Sequence, residues 1–354
     1  MPLTYHEQVK INNIQKVREL TKDFPAFTGD FFRAIENTKQ SNTVRGYAYD
    51  LSTFFYFLQT NNPYFRDHDI RSLPVSILDQ IQPVDIEEYL SFLSYYEKDG
   101  KTYTNQEEGK ARKLASLNTF FGYYHKKQYI TTNAPAAVDI PKVKDKNIIR
   151  LEPDEITKLI DSIESGENLT DRQKAWHVKQ KIRDLAIIVT LLGTGIRVTE
   201  LVGLDLTDIN FDNGAMKLIR KGGNEDIVYF GEEVDKFLQE YMDERIDITP
   251  EKGHENALFI SRNNIRITVR SVERLVKKYA GPTISKHITP HKMRSTYGTS
   301  LYHETGDIYL VADVLGHKNV NTTKRRYTAM TDDRKRSAAN VVKLRGGLHN
   351  NDDT

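Results

Sequence analysis

The chain of 354 residues has no cysteine at all. That absence excludes a disulfide framework, a thiolate zinc site and a cysteine nucleophile together. No stretch approaches the roughly 20 apolar residues that span a bilayer, and Met1 to Lys10 is too polar for a secretory signal. A cytoplasmic protein with no membrane partner is the expectation. Charge of one sign is also missing, since 51 Lys and Arg against 49 Asp and Glu leave a net +2. That balance argues neither for nor against nucleic acid. What is present is a hydrophobic fraction of 38%, with 10% aromatic residues, enough to fill compact cores. The length favours two of them.

Positive charge is local. Lys110, Arg112 and Lys113 fall together, as do Lys126 and Lys127; Lys142, Lys144, Lys146 and Arg150 face the single acid Asp145; Lys324, Arg325 and Arg326 precede Tyr327. Any one cluster is most simply a solvated face. Their recurrence on a balanced chain points to a phosphate backbone as partner, with Lys110, Arg112, Lys113, Lys142, Lys144 and Lys146 as candidates to touch it.

The first half reads as helices. Between Ser41 and Leu58, the residues Val44, Tyr47, Leu51, Phe54, Phe55 and Leu58 recur at steps of three and four. A second helical segment begins at Asp85. A third runs from Gly109 to about Tyr129, with Leu114, Leu117, Phe120, Phe121 and Tyr124 on one face and the basic residues largely off it. Aromatic stripes at helical spacing are read as core, not as platforms for base stacking. Asn133 to Asn147 contains Pro135 and Pro141, has no period, and reads as a basic linker. Beyond it Glu152-Pro153-Asp154-Glu155 opens a helix. Arg183 to Leu192 forms an apolar helix stopped by Gly193-Thr194-Gly195, and Ala215 to Phe230 reads as a β-hairpin around Lys221-Gly222-Gly223-Asn224. Helices return from Val269 onward. The chain is therefore expected to be mostly α, with a small β-hairpin or sheet in its second half.

Four segments stand out for chemistry. Arg197 follows the glycine stop of one helix and begins another. Lys221 sits at the hairpin tip, where neighbouring glycines permit a close approach to a ligand. Thr289-Pro290 marks a helix start, with His291 and Arg294 three residues apart on one face. Leu315-Gly316-His317 is followed ten residues later by Tyr327. Singly, each has a bland reading as a surface, capping or packing residue. Together they supply what phosphoryl transfer needs without a metal or cofactor. Two guanidiniums can neutralise a pentavalent phosphate, a lysine can protonate the leaving oxygen, and histidines can manage the phenol's proton. A tyrosine can attack and hold the covalent intermediate.

The order Arg, Lys, His-x-x-Arg, His, Tyr resembles the tyrosine recombinase/integrase family. The runs TGIRVTELVGL, HKMRSTYGTSLY and VLGHKNVNTT are similar to its signature blocks, and Lys221, 24 residues after Arg197, lies where the family keeps its lysine. TVRGYAYDLSTFFYFL and ARKLASLNTFFGYYHKKQYITTNAPA resemble the helices of its core-binding domain. The resemblance implies a two-domain DNA clamp, a helical core-binding domain joined to a catalytic domain. It implies Arg197 and Arg294 as transition-state clamps, Lys221 as general acid, His291 as acid/base group, His317 as phosphate ligand and Tyr327 as nucleophile, with Glu200 as a supporting acid. The interval from His317 to Tyr327 is one residue longer than is usual in the family. No metal and no cofactor are implied.

On this reading residues 1–26 are an extension, 27–135 the core-binding domain, 136–147 a basic linker and 148–330 the catalytic domain. Residues 331–347 would form a helix docking on a neighbouring subunit, followed by a frayed tail, 348–354. The implied partners are a double-stranded DNA site, three further copies of the chain in a tetramer, and a DNA translocase as possible activator. The implied function is resolution of chromosome dimers at division; the alternatives are a mobile-element integrase and a catalytically silent DNA-binding protein.

Overall fold

The computed structural model describes residues 3–142, 149–220, 223–317 and Val320. The chain divides into two compact units, Met1–Lys146 and Asn147–Thr354. Both are mostly helical, and each carries one small antiparallel sheet. Lys144, Lys146, Lys221, Tyr327 and the segment 331–347 lie outside the described residues, so the expectations placed on them are carried forward as proposals.

In the first unit the helices are α1 (Tyr5–Thr21), α2 (Thr28–Glu36), α3 (Ser41–Asn61), the single turn α4 (Pro63–Arg66) and α5 (Pro83–Phe92). A hairpin follows, β1 (Tyr96–Lys98) and β2 (Lys101–Tyr103), and then α6 (Glu107–Lys126). The aromatic stripes of α3 and α6 are core: Phe54, Phe55, Phe120, Phe121 and Tyr124 are all buried. Phe31 of α2 meets Phe120 edge to face, ring centroids 5.1 Å apart. That arrangement lets the positive rim of one ring face the negative face of the other.

Two features differ from the sequence reading. The stretch taken as a separate extension contains a helix of the first unit, because α1 packs along α3; it buries Val17, and its buried Asn13 amide donates to Ser41 Oγ at 3.0 Å and to Asn42 Oδ1 at 2.9 Å. The second concerns the basic cluster on α6. Lys113, expected off the buried face, is only 7% exposed and donates to the buried Asp50 carboxylate at 3.2 Å. Arg112 and Ser116 donate to the same group, at 2.6 and 2.7 Å. Burial pulls the Lys113 ammonium below its ordinary pKa, against the opposing pull of Asp50. Lys113 therefore does not present a surface amine to a phosphate. Lys110 pairs with Glu107 at 3.2 Å, while Lys142 is exposed.

This cluster yields a stability prediction. Asp50→Ala leaves the Lys113 ammonium buried without its carboxylate, a change that costs about 3–5 kcal/mol. Adding Lys113→Met to Asp50→Ala removes the stranded charge and should recover much of that loss. Calorimetry of the full chain checks both, and a single variant that melts like the unaltered protein would show the cluster to be solvated.

The second unit opens with α7 (Pro153–Ser165), where Glu155 accepts the Glu152 backbone N–H at 2.8 Å. The helices α8 (Asp171–His177), α9 (Lys181–Thr194) and α10 (Val198–Gly203) follow. Next come three antiparallel strands in sequential order, β3 (Ile209–Asn210), β4 (Ala215–Ile219) and β5 (Glu225–Tyr229). The unit continues with α11 (Glu232–Ile246), α12 (Val269–Thr283), α13 (Pro290–Thr305) and α14 (Ile308–Val314). The apolar α9 is the centre, buried along nearly its whole length and packed by α7, α11 and α13. Among the described residues no helix is long and apolar enough to cross a membrane.

Candidate active site

The end of α9 sets the first functional side chain. Gly195 caps the helix in the left-handed conformation, φ +63, with its N–H on Leu191 O. A Cβ there would lie 2.4 Å from the Tyr297 ring and 3.0 Å from Leu315, so both backbone and packing call for glycine. Two residues on, Arg197 is extended (φ −74, ψ 146) as it leads into α10. Glu200, 5% exposed, accepts the Arg197 backbone N–H at 2.7 Å and its guanidinium at 2.8 Å. One carboxylate thus fixes both ends of the arginine.

The start of α13 sets the second. Thr289 caps the helix by accepting the Lys292 N–H, and Pro290 occupies the first turn, as the sequence predicts. Arg294 is 4% exposed and donates to Gly195 O at 2.6 Å and to Leu315 O. His291 lies in the first turn of the same helix, three residues before Arg294, and is exposed. Tyr309, the other tyrosine near His317, stands exposed on α14.

The terminus of α14 draws these elements together. Val314 O accepts from Arg220 at 3.1 Å, Leu315 O from Arg294, and Gly316 O from Arg197 at 3.3 Å. The last carbonyls of a helix have no intrahelical donor and carry the negative end of its dipole. Three guanidiniums from three different elements supply the missing donors to three successive carbonyls. His317 is the next residue, half-buried, with its backbone N–H on Ala312 O at 2.8 Å.

Arg220 was not singled out by the sequence reading. Its side chain is 9% exposed and also donates to Asp226 at 2.8 Å and to Glu200 at 3.3 Å. Gly316, at φ +59, lies against it, and a Cβ there would come within 2.9 Å of the guanidinium carbon. Strand alternation carries the signal for Arg220: Met216 and Leu218 are buried on β4, and a period of two puts residue 220 on their face. Among the described residues the site therefore gathers Arg197, Glu200, Arg220, Arg294 and the backbone leading into His317. A cluster so rich in guanidinium, with one buried carboxylate, suits a polyanionic ligand with charge developing on its oxygens.

Comparison with known proteins agrees with this chemistry. Residues 150–334 match the model of the phage integrase family. The chain is 32% identical to the tyrosine recombinase XerC of Caldanaerobacter subterraneus, over 90% of this chain and 86% of that relative. It is 28% identical to the tyrosine recombinase XerS of Streptococcus thermophilus, over 92% of this chain and 97% of that one. Among solved structures, the Tn1549 transposon integrase in complex with a circular intermediate DNA aligns with a TM-score of 0.64 at 22% identity, covering 89% of this chain and 98% of that one. The recombinase XerH bound to its difH substrate aligns with a TM-score of 0.58 at 24% identity, over 85% and 80%.

Proposed function

Because the chain belongs to the phage integrase family and is a tyrosine recombinase, we propose that it cuts and rejoins DNA at a specific duplex site through Tyr327. The observation that carries the proposal is the pair Arg197 and Arg294, both hydrogen-bonded to the carbonyls just before His317, which supports their reading as clamps. In the proposed reaction the Tyr327 oxygen attacks the scissile phosphorus as His291 assists removal of the phenolic proton. The P–O bond to the 5′ oxygen breaks, Lys221 gives that oxygen its proton, and a 3′-phosphotyrosine remains. Arg197, Arg294 and His317 hold the non-bridging oxygens, so charge builds up among fixed donors, a term worth a few kcal/mol for each donor. A 5′-hydroxyl from the partner strand then attacks the phosphotyrosine and returns its proton to Lys221, while the Tyr327 oxygen leaves and takes back its proton with the help of His291.

The finer reading is that four copies act on two sites and that the sites are those at which chromosome dimers are resolved. Likeness to XerC and XerS over most of the chain supports it. The solved complexes support duplex DNA as the partner. The test offers the purified chain nicked duplexes from its own chromosome's replication terminus in excess EDTA. A protein–DNA adduct stable to detergent is expected. Loss of the adduct on chelation would overturn the metal-free mechanism, and adducts only with the ends of a mobile element would make the protein that element's integrase.

A further inference from the structure

We propose that Arg220 is a positioning residue for Lys221: it pins the base of the β4–β5 hairpin to the arginine clamp and so sets where the next residue presents its ammonium. The inference rests on the assignment of Lys221 as general acid made above. Three observations support it. The backbone of Arg220 closes the hairpin turn, its N–H donating to Asn224 O at 2.8 Å and its carbonyl accepting the Gly223 N–H at 3.0 Å. Its guanidinium reaches three different parts of the unit, namely Asp226 on the returning strand, Glu200 on α10 and the Val314 carbonyl of α14. Its plane lies against Gly316, a position where any side chain would displace it.

Several acceptors alone do not set Arg220 apart, since Arg245 also addresses three carbonyls, those of Ala257, Ile248 and Glu255; the shared carboxylate does. Here Glu200 is shared with Arg197, so the carboxylate that orients the clamp also orients the hairpin base. The turn beyond that base is short and glycine-rich, from Lys221 to Asn224, and holds few groups that could fix its own direction. Arg220 is the last described residue before Lys221, and it also receives the turn on the far side through Gly223 and Asn224. Arginine suits the task because its planar fork addresses several acceptors at once, whereas a lysine supplies one point charge.

The substitution Arg220→Met is tolerable for the clamp, since Glu200 retains both bonds from Arg197, and Asp226 is 43% exposed and takes up water. Single-turnover cleavage is measured for the full chain, Arg220→Met, Arg220→Lys and Lys221→Ala on two duplexes. One is ordinary DNA; the other has sulfur in place of the bridging 5′ oxygen at the cut. A thiolate leaves without protonation, so only defects in the general acid are relieved. Arg220→Met should cut ordinary DNA about 100-fold more slowly, the scale of a lost general acid, yet cut the sulfur duplex within about threefold of the unaltered chain. Arg220→Lys should fall between the two. Recovery on sulfur itself certifies that the variant is folded. Equal slowing on both duplexes, or unimpaired cutting of ordinary DNA, would overturn the positioning role. Failure of Lys221→Ala to recover on sulfur would instead sink the lysine assignment, whatever Arg220 does.

Discussion

Tyr327→Phe is expected to bind its DNA site as tightly as the unaltered chain and to form no covalent adduct. The substitution removes a single oxygen and leaves the net charge unchanged. The proposed reaction, however, has no other atom to make the bond to phosphorus. Tyr309, which precedes His317 in the chain, stands exposed on α14 at 71% and is the alternative to exclude. Binding measured by gel shift, beside adducts trapped on a nicked duplex, separates the two effects. Adduct formation in Tyr327→Phe that disappears on adding Tyr309→Phe would move the nucleophile to Tyr309 and would mean that the ten-residue interval after His317 had been misread.

The second large effect concerns Arg294. Arg294→Lys should lower the cleavage rate by about 100- to 1000-fold, the range for loss of one oriented donor to a developing oxyanion. A lysine retains the charge but cannot address Gly195 O and Leu315 O while also meeting a phosphate. Sulfur at the leaving position should give no relief, because the lost interaction is with the non-bridging oxygens. Arg294→Ala adds a structural penalty by leaving two carbonyls of a buried junction without a side-chain donor, about 1–3 kcal/mol for each that water does not reach. Melting temperatures of both variants distinguish this from the catalytic loss. Recovery of Arg294→Lys on the sulfur duplex would show that the arginine acts on the leaving group after all.

Much of this arrangement could be read from spacing alone, and the exceptions share a physical cause. The helix stripes of α3 and α6, the glycine stop before Arg197, the Thr289-Pro290 start and the hairpin of β4 and β5 all follow from local rules, and the structure has them. Charged residues whose partners lie far away in the chain were misjudged. Lys113 stands four residues before Leu117 and seven before Phe120, on the buried face by the helical period, but its charge suggested the surface. Its partner Asp50 occupies the matching place on α3, four residues before Phe54. Neither position makes sense without the other, and a sequence separation of 63 hides the pair from local inspection. Arg220, one residue past β4, is a similar case, since Glu200 and the Val314 carbonyl lie 20 and 94 residues away. Two local signals were also passed over: Thr4 and Glu7, which cap α1 reciprocally, and the Asp99-Gly100 turn that joins β1 to β2.

The row of carbonyls at the end of α14 has a consequence for which changes the enzyme can absorb. All three arginines address main-chain oxygens there, so none of them reads the side chains of Val314 or Leu315. Substitutions that respect the core are invisible to the clamp at those positions. A one-residue insertion or deletion between Val311 and Gly316 would be felt very differently, because it displaces the oxygens on which Arg197, Arg220 and Arg294 are aligned. It would also move a residue with a Cβ toward the place that only Gly316 fits. Geometry fixes the length of this segment, while freedom of composition is confined to positions outside the buried Val311, Ala312 and Leu315 and the tight Gly316.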